Sequence, residues 1–400
     1  MGIMKILFVA DCRSPIAQNW IRHFAAQDNE VYLASTFQGD VGFPLARFEF
    51  TPVAFSAVKK QAQSFGSASS LTPDLRTRIR QWIGPLTIPR SAKKLRTFIQ
   101  EVQPDLIHAL RVPYEGMLAA SALNAGRATR AFFLPVPQPI PLIASIWGND
   151  FTLHAPSTLL MGYYTRKTMK AVTALHADCE RDIRLAREWG LGRQRTTLVA
   201  PGNGGIRSEV FYPPAELVKE PVIINPRGLR AYVRNDSFFK AIPLVLAKRP
   251  NAKFICSSMQ GEAQAIQWVR ELSIEQAVTL NPPVSHANMA EVFRRAQIVV
   301  SPSIHDGTPN SLLEGMACGC FPIASDLESI REWITHAQNG LLVNPKDPQS
   351  IADAILLGIE REDLRREAAG LNAKIISARA EYERNMERVG EFYKSVMRET

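Results

Sequence analysis

Two acids, Asp306 and Glu314, and three arginines, Arg227, Arg230 and Arg234, are the side chains of this 400-residue sequence best suited to a phosphate flanked by hydroxyls. A carboxylate accepts two hydrogen bonds from a vicinal diol, and a guanidinium offers phosphate oxygens a fixed fork of donors. Both acids fall in the run SPSIHDGTPNSLLEGMACGCFP, residues 301–322. Ile298, Val299 and Val300 ahead of it read as an apolar strand. Thr308 is placed as a helix N-cap and Pro309 at the first helical position. Leu312, Leu313, Met316 and Ala317 form one apolar stripe at helical spacing, and Glu314 lies off it, so that it need not be buried. Gly319 ends the helix, and residues 321–324 read as the next strand. Such a crossover unit binds ligands beyond the carboxyl ends of its strands. Its helix N-terminus would offer the backbone N–H groups of Asn310, Ser311 and Leu312 to an anion. Asp306, next to Gly307, could equally be an Asx-turn residue, and Glu314 a solvated helix acid.

The elements that position these residues repeat along the chain. Strands at 4–10, 30–34, 47–50, 105–110, 141–146 and 196–199 alternate with helices at 16–27, 93–102, 116–124 and 180–189. The stretch Pro201-Gly202-Asn203-Gly204-Gly205 is the best hinge, and Pro213-Pro214 closes it. A second series follows, with strands near 222–225, 253–256, 277–280, 298–300 and 321–324. Helices fall between them near 236–248, 261–272, 286–295 and 309–318. Residues 378–398 read as one charged helix with Tyr382, Met386, Val389, Phe392, Tyr393 and Val396 as its apolar stripe. The fold class is therefore α/β, with two doubly wound, Rossmann-like domains facing each other across a cleft. The first covers 1–200, the hinge 201–220 and the second domain 221–377, with 378–400 crossing back to the first.

The net charge is +9, and residues 55–100 hold nine Lys or Arg against the single acid Asp74. Phe55, Phe65, Trp82 and Phe98 are interleaved with this charge. The segment reads either as a surface that meets anionic lipid headgroups or as the solvated face of ordinary helices. No nucleic-acid recognition motif accompanies it, so nucleic acid is not expected as a partner. Five cysteines form no disulfide framework or zinc-ligand spacing, which points to a reducing cytosol. The chain reads as cytoplasmic, with peripheral contact at the inner face of the cell membrane as an option. The longest uncharged stretch, 131–147, carries four alternating prolines and is no spanning helix.

SPSIHDGTPNSLLEGMACGCFPIASD resembles the signature of the retaining glycosyltransferases of family 4, which have the GT-B fold. The segment NGLLV at 339–343, the linker VAPGNGGIRSEVFYPP and the loop VIINPRGLR are similar to the family's corresponding segments, as are PDLIHAL and SIWGND in the first half. The chain departs from the pattern in several places. Asp306 replaces the usual Glu, Leu327-Glu328-Ser329 stands where paired glycines are common, and the first loop, residues 11–15, lacks its glycines. The usual Arg-then-Lys phosphate pair is represented by Arg227, Arg230 and Arg234, of which Arg227 matches best.

The resemblance implies transfer of a sugar, with retention, from a nucleoside diphosphate sugar to a hydroxyl of a glycan or lipid-linked acceptor. Uridine is the family's usual base. Glu314 would hold the ribose and Asp306 the sugar, while the arginines stabilise the leaving diphosphate. Asp150 would bind the acceptor or the donor sugar, or else cap a helix. Arg111, Glu115, His154 and Ser14 are acceptor-side candidates, and His108 reads as a core histidine. No D-x-D occurs, so no metal and no cofactor beyond the substrate is expected. A sugar-nucleotide epimerase or hydrolase and a non-catalytic partner in a polysaccharide assembly complex are the rival readings.

Overall fold

The computed structural model describes residues 3–54, 56, 80–128, 139–216 and 218–399, with the backbone alone at 125–128. Residues 55 and 57–79 of the basic segment, and 129–138 of the proline-rich stretch, lie outside the described residues. The chain divides into two compact units: Met1–Gly204 with Met386–Thr400, and Gly205–Asn385.

The first unit is built on a seven-stranded sheet of order β3-β2-β1-β4-β5-β6-β7. Its strands are β1 Lys5–Ala10, β2 Glu30–Ser35, β3 Arg47–Phe50, β4 Leu106–Ala109, β5 Leu142–Ile146, β6 Ala174–Ala177 and β7 Thr196–Val199. Every neighbouring pair is parallel. Parallel sheets are covered on both faces, which is why β4, β5 and β6 are buried at every position. Leu95, Phe98 and Ile99 of the helix Ile88–Val102 pack into the same core as Ile107, Leu118, Ala144 and Leu175. β6 and the helix Leu159–Ala171 had no clear sequence signal, since ALHA is short and the helix has no continuous apolar stripe.

A buried polar chain crosses this sheet. The Tyr393 hydroxyl donates to His108 Nδ1, His108 Nε2 donates to Ser145 Oγ, Ser145 donates to His176 Nδ1, and His176 Nε2 donates to the Ala200 carbonyl. Each ring donates once and accepts once, so both imidazoles are satisfied in the neutral form. His108 is thus the core histidine expected of it. Tyr393 also stacks on Phe24, and the two contacts fix the end of the C-terminal helix in the first unit.

The second unit has a six-stranded sheet of order β10-β9-β8-β11-β12-β13, again all parallel. Its strands are β8 Val222–Asn225, β9 Lys253–Cys256, β10 Val278–Leu280, β11 Ile298–Ser301, β12 Phe321–Ser325 and β13 Leu341–Val343. The helix Asn310–Ala317 seats closely on β11 at Gly315, where a Cβ would stand 3.0 Å from Val299 Cγ1. Residues 378–398 are not one helix. Glu362–Arg379 stops, and Tyr382–Arg398 starts anew, because the backbone at 380–382 bridges to Ile206 through two hydrogen bonds. All five cysteines are buried and free.

Burial, the largest cause, lowers the pKa of His176 to about 4 and that of His108 well below its ordinary value. An unfolded histidine titrates near 6.5. Between these values the unfolded chain binds protons that the folded one does not, so stability is full above about 6.5 and falls as pH drops toward 4. Urea titrations should show the first unit losing on the order of 3 kcal/mol through His176 across that window. In His176→Gln the pH slope should be shallower, while the wild-type slope persists if other groups carry it.

Candidate functional site

In both sheets the strand order reverses next to the first strand, between β8 and β11 in the second unit and between β1 and β4 in the first. Ligands of open α/β sheets bind at such reversals. The loop after β8 carries Arg227 and the loop after β11 carries Asp306, and the two side chains form an ion pair. Arg227 also donates to Ser303 Oγ at 3.1 Å and to the Tyr232 hydroxyl at 3.3 Å. Burial works against its charge, but Asp306 and Tyr232 more than offset this, and its pKa is raised.

Backbone bonds sew the two loops together. Ile304 N–H donates to Tyr232 O at 2.8 Å, and Arg234 N–H to Pro302 O at 2.6 Å. Asn225 Oδ1 accepts from Arg227 N–H at 3.1 Å, and Asn225 Nδ2 donates to Asn235 at 2.8 Å. From beneath, Ser329 Oγ donates to Asp306 O at 2.8 Å and Trp333 Nε1 to Thr308 Oγ1 at 2.9 Å. Thr308 is therefore a buried acceptor for Trp333 and not the helix cap. Pro309 stands in the cap position and the helix begins at Asn310.

Glu314 differs from the sequence expectation. Its off-stripe position suggested exposure, yet it is only 7% exposed, because residues off the stripe here face other parts of the fold. Burial alone pushes its pKa up to about 7. Among the described residues no hydrogen bond reaches its carboxylate. Asn310 Oδ1, at the start of the same helix, is also buried without a partner among the described residues. Among the described residues no acceptor meets the N–H of Asn310 or Ser311. The N–H of Leu312 is not available to an anion, since it donates to Pro309 O at 2.9 Å in the first turn. Arg230 is exposed and reaches Tyr232 at 3.1 Å, while Arg234 is held by Asp236 at 2.8 Å.

At the reversal of the first sheet lies a cavity of about 190 Å³. Ser14, Arg111, Glu115 and His154 all line it, with Asp11, Phe37, Arg80, Tyr114 and Trp147. Ser14 caps the helix Pro15–Ala25, and His154 meets Gln81 at 3.1 Å. Asp150 is 1% exposed and lies behind the cavity. Its carboxylate accepts from Arg111 Nε at 2.8 Å and from the N–H groups of Val112 and Trp147 at 3.3 Å. It caps no helix in the simple sense; it fixes Arg111 and two loops. Burial raises its pKa although Arg111 opposes this. Glu115 accepts from Thr36 Oγ1 at 2.7 Å, and burial lifts its pKa to about 7 against the pull of Thr36, Arg80 and Arg111. Arg111 and Tyr114 hold φ of 142° and 71°, values that cost a non-glycine residue backbone strain.

Sequence reasoning missed Ser303 and Tyr232 in the second unit, and Phe37, Arg80, Tyr114 and Trp147 in the first. Trp147 was within reach, since it sits in the quoted SIWGND segment after β5. Arg80 carried no local signal: it stacks on Phe37 and Tyr114, at 5.1 and 4.6 Å, only because the chain folds back. A buried group, Asp178, Cys179 and Asp182, has ligand-type atoms within 4.8 Å of one another, but Arg181 already pairs with Asp182 at 2.7 Å.

Neutralising Asp306 leaves the buried Arg227 charge without its partner. Asp306→Asn should cost about 3 kcal/mol in urea unfolding, whereas Arg230→Ala, at an exposed position, should change the midpoint little.

Comparison with known proteins assigns this architecture. Residues 221–360 match the glycosyl transferases group 1 family. A D-inositol 3-phosphate glycosyltransferase of Paenarthrobacter aurescens is 29% identical over 30% of this chain and 30% of its own length. The N,N'-diacetylbacillosaminyl-diphospho-undecaprenol alpha-1,3-N-acetylgalactosaminyltransferase of Campylobacter jejuni is 34% identical over 40% of this chain and 41% of its own. The chain thus spans well under half the length of these curated relatives. Among solved structures, sucrose-phosphate synthase of Thermosynechococcus elongatus superposes with a TM-score of 0.71 at 15% identity, covering 99% of both chains. HepE of Anabaena in complex with UDP-glucose superposes at 0.69 and 16% identity, covering 98% of this chain and 100% of its own. Two parallel α/β units with these strand orders are those of the GT-B fold, and the chain's second unit is similar, over residues 221–360, to the glycosyl transferases group 1 family.

Proposed function

We propose that the protein is a retaining glycosyltransferase that moves a sugar from a nucleoside diphosphate sugar, with UDP favoured, to a hydroxyl of a glycan or lipid-linked acceptor. The observation that carries the reading is Glu314, a buried carboxylate with no hydrogen bond among the described residues, on a helix whose N–H groups at Asn310 and Ser311 meet no acceptor among them. A ribose diol would supply the missing donors, and the diphosphate would meet the helix start. Arg227, held at the sheet reversal, supplies fixed positive charge as the C1–O bond to the diphosphate breaks. In the front-face course proposed here, the acceptor oxygen bonds to C1 on the face the diphosphate leaves, and its proton passes to a diphosphate oxygen. No resident metal is invoked in this course; Arg227 and the helix start supply the donors that meet the leaving diphosphate.

The preference for uridine is supported by HepE, whose structures hold UDP and UDP-glucose. A lipid-linked acceptor is supported by the Campylobacter relative, whose name specifies a diphospho-undecaprenol substrate. The acceptor is assigned to the cavity at the β1/β4 reversal, where Arg80 and Arg111 suit an anionic group and Trp147 keeps a buried indole N–H without a partner among the described residues. Polysaccharide or glycolipid assembly is the process in which such a product belongs.

Calorimetry with UDP-glucose, whose phosphates do not titrate near neutrality, tests the ribose assignment. Diol donors favour ionised Glu314, so affinity should rise as pH increases through about 7, with a proton released on binding. Glu314→Gln should bind more weakly and lose this pH dependence. Retention of both affinity and pH dependence in the variant would overturn the assignment. Incubation with UDP-sugars and no acceptor should leave the donor largely unchanged, whereas an altered sugar would mark an epimerase.

A further inference from the structure

Six large apolar side chains of the first unit stand in solvent at two neighbouring places. Trp82, Ile83 and Leu86 are 67%, 44% and 65% exposed, and Leu159, Leu160 and Tyr163 are 95%, 38% and 58% exposed. Thr158 Oγ1 donates to Gln81 O at 3.3 Å, which sets residues 82–83 beside residues 159–160. The turn Gly84–Thr87 touches the helix Leu159–Ala171. The six side chains therefore form one apolar projection, whereas isolated exposed apolar groups would need no explanation.

Charge continues along the same helix faces. From Tyr163, Lys167 follows four residues on and Lys170 three more. From Leu86, Arg90 follows four residues on and Lys93 three more. Neither 80–100 nor 151–177 contains an aspartate or glutamate. An apolar tip with two aromatic side chains, followed along both segments by cations and with no acid within either segment, matches an interface of acyl chains beneath anionic headgroups. No described helix is long and apolar enough to cross a membrane, so the contact would be peripheral.

We infer that this projection is a docking surface for an anionic lipid bilayer, with Trp82, Leu86, Leu159 and Tyr163 entering the headgroup boundary and Arg90, Lys93, Lys167 and Lys170 meeting the lipid phosphates. Gln81 belongs to both places: its carbonyl binds Thr158, and its side chain lines the first-unit cavity. Docking here brings that cavity beside the lipid surface, where a lipid-borne acceptor presents its headgroup. Only this last link rests on the proposed transfer reaction; the surface itself does not.

Co-sedimentation of the full chain with phosphatidylcholine vesicles, with and without phosphatidylglycerol, tests the assignment. Binding should need the anionic lipid and weaken as salt screens it. Removing Lys93, Lys167 or Lys170 as serine should each weaken binding roughly fivefold. Trp82→Ser/Leu159→Ser/Tyr163→Ser should abolish sedimentation while leaving the thermal midpoint and the UDP-glucose affinity unchanged. The inference fails if neither vesicle binds, if neutral and anionic vesicles bind equally, or if the triple variant still sediments. It also fails if the wild type dimerises through this patch and the triple variant does not. A fluorophore on Leu159→Cys that is shielded from a collisional quencher before vesicles are added would overturn it too, since the patch would then already be covered. Loss of vesicle binding with intact donor affinity leaves the transfer reading standing, and the reverse result leaves the surface standing.

Discussion

Each unit depends on a parallel sheet that turns back on its own first strand. That order forces the chain to leave neighbouring strands β8 and β11, or β1 and β4, in diverging directions. The backbone amides and side chains of the two departing loops are then brought together with nothing between them. In the second unit the loops bond to each other through Tyr232, Pro302 and Ile304, so the site is a stitched edge and not two loose loops. In the first unit the same reversal leaves the cavity open and lines it with strained backbone at Arg111 and Tyr114.

Burial then decides what each ionisable group can do there. Asp306 and Arg227 are both sequestered, and they answer each other. Glu314 is sequestered with no hydrogen bond among the described residues, and its proton is held up to about neutrality. The contrast separates two acids of one motif: one is compensated by an arginine, and the other has no hydrogen-bond donor among the described residues. Asp150 and Glu115 repeat the contrast in the first unit. Asp150 is consumed by Arg111 and two backbone N–H groups, so it acts through what it positions. Glu115 keeps a place on the cavity wall and one bond from Thr36.

Much of this was legible along the chain. Strands buried on both faces have continuous apolar runs, so Ile6 to Ala10 and Ile298 to Val300 could be read directly. The loop-to-helix passage from Asp306 to Glu314 was legible because helical spacing and a following glycine are local properties. So were the stripe residues of the last helix, all of which are buried. The start of the helix at 310 was misread because Thr308 has the chemistry of a cap, while Trp333, twenty-five residues away, takes its hydroxyl. The bridge of residues 380–382 to Ile206 likewise broke a helix that its own residues would have continued.

By itself the sequence determined the α/β class, the doubling of the fold and the residue types gathered at the second-unit site, because periodicity and spacing are carried by neighbours along the chain. Tertiary structure alone decided that Glu314 is buried, that Arg227 is paired with Asp306, and that Arg80, Tyr114 and Trp147 share a cavity with Glu115. It also decided that Trp82 and Leu159 stand side by side in solvent, close through the bond from Thr158 to Gln81. The reason is physical: charge state and exposure depend on which distant atoms displace water, and only the folded chain brings those atoms near.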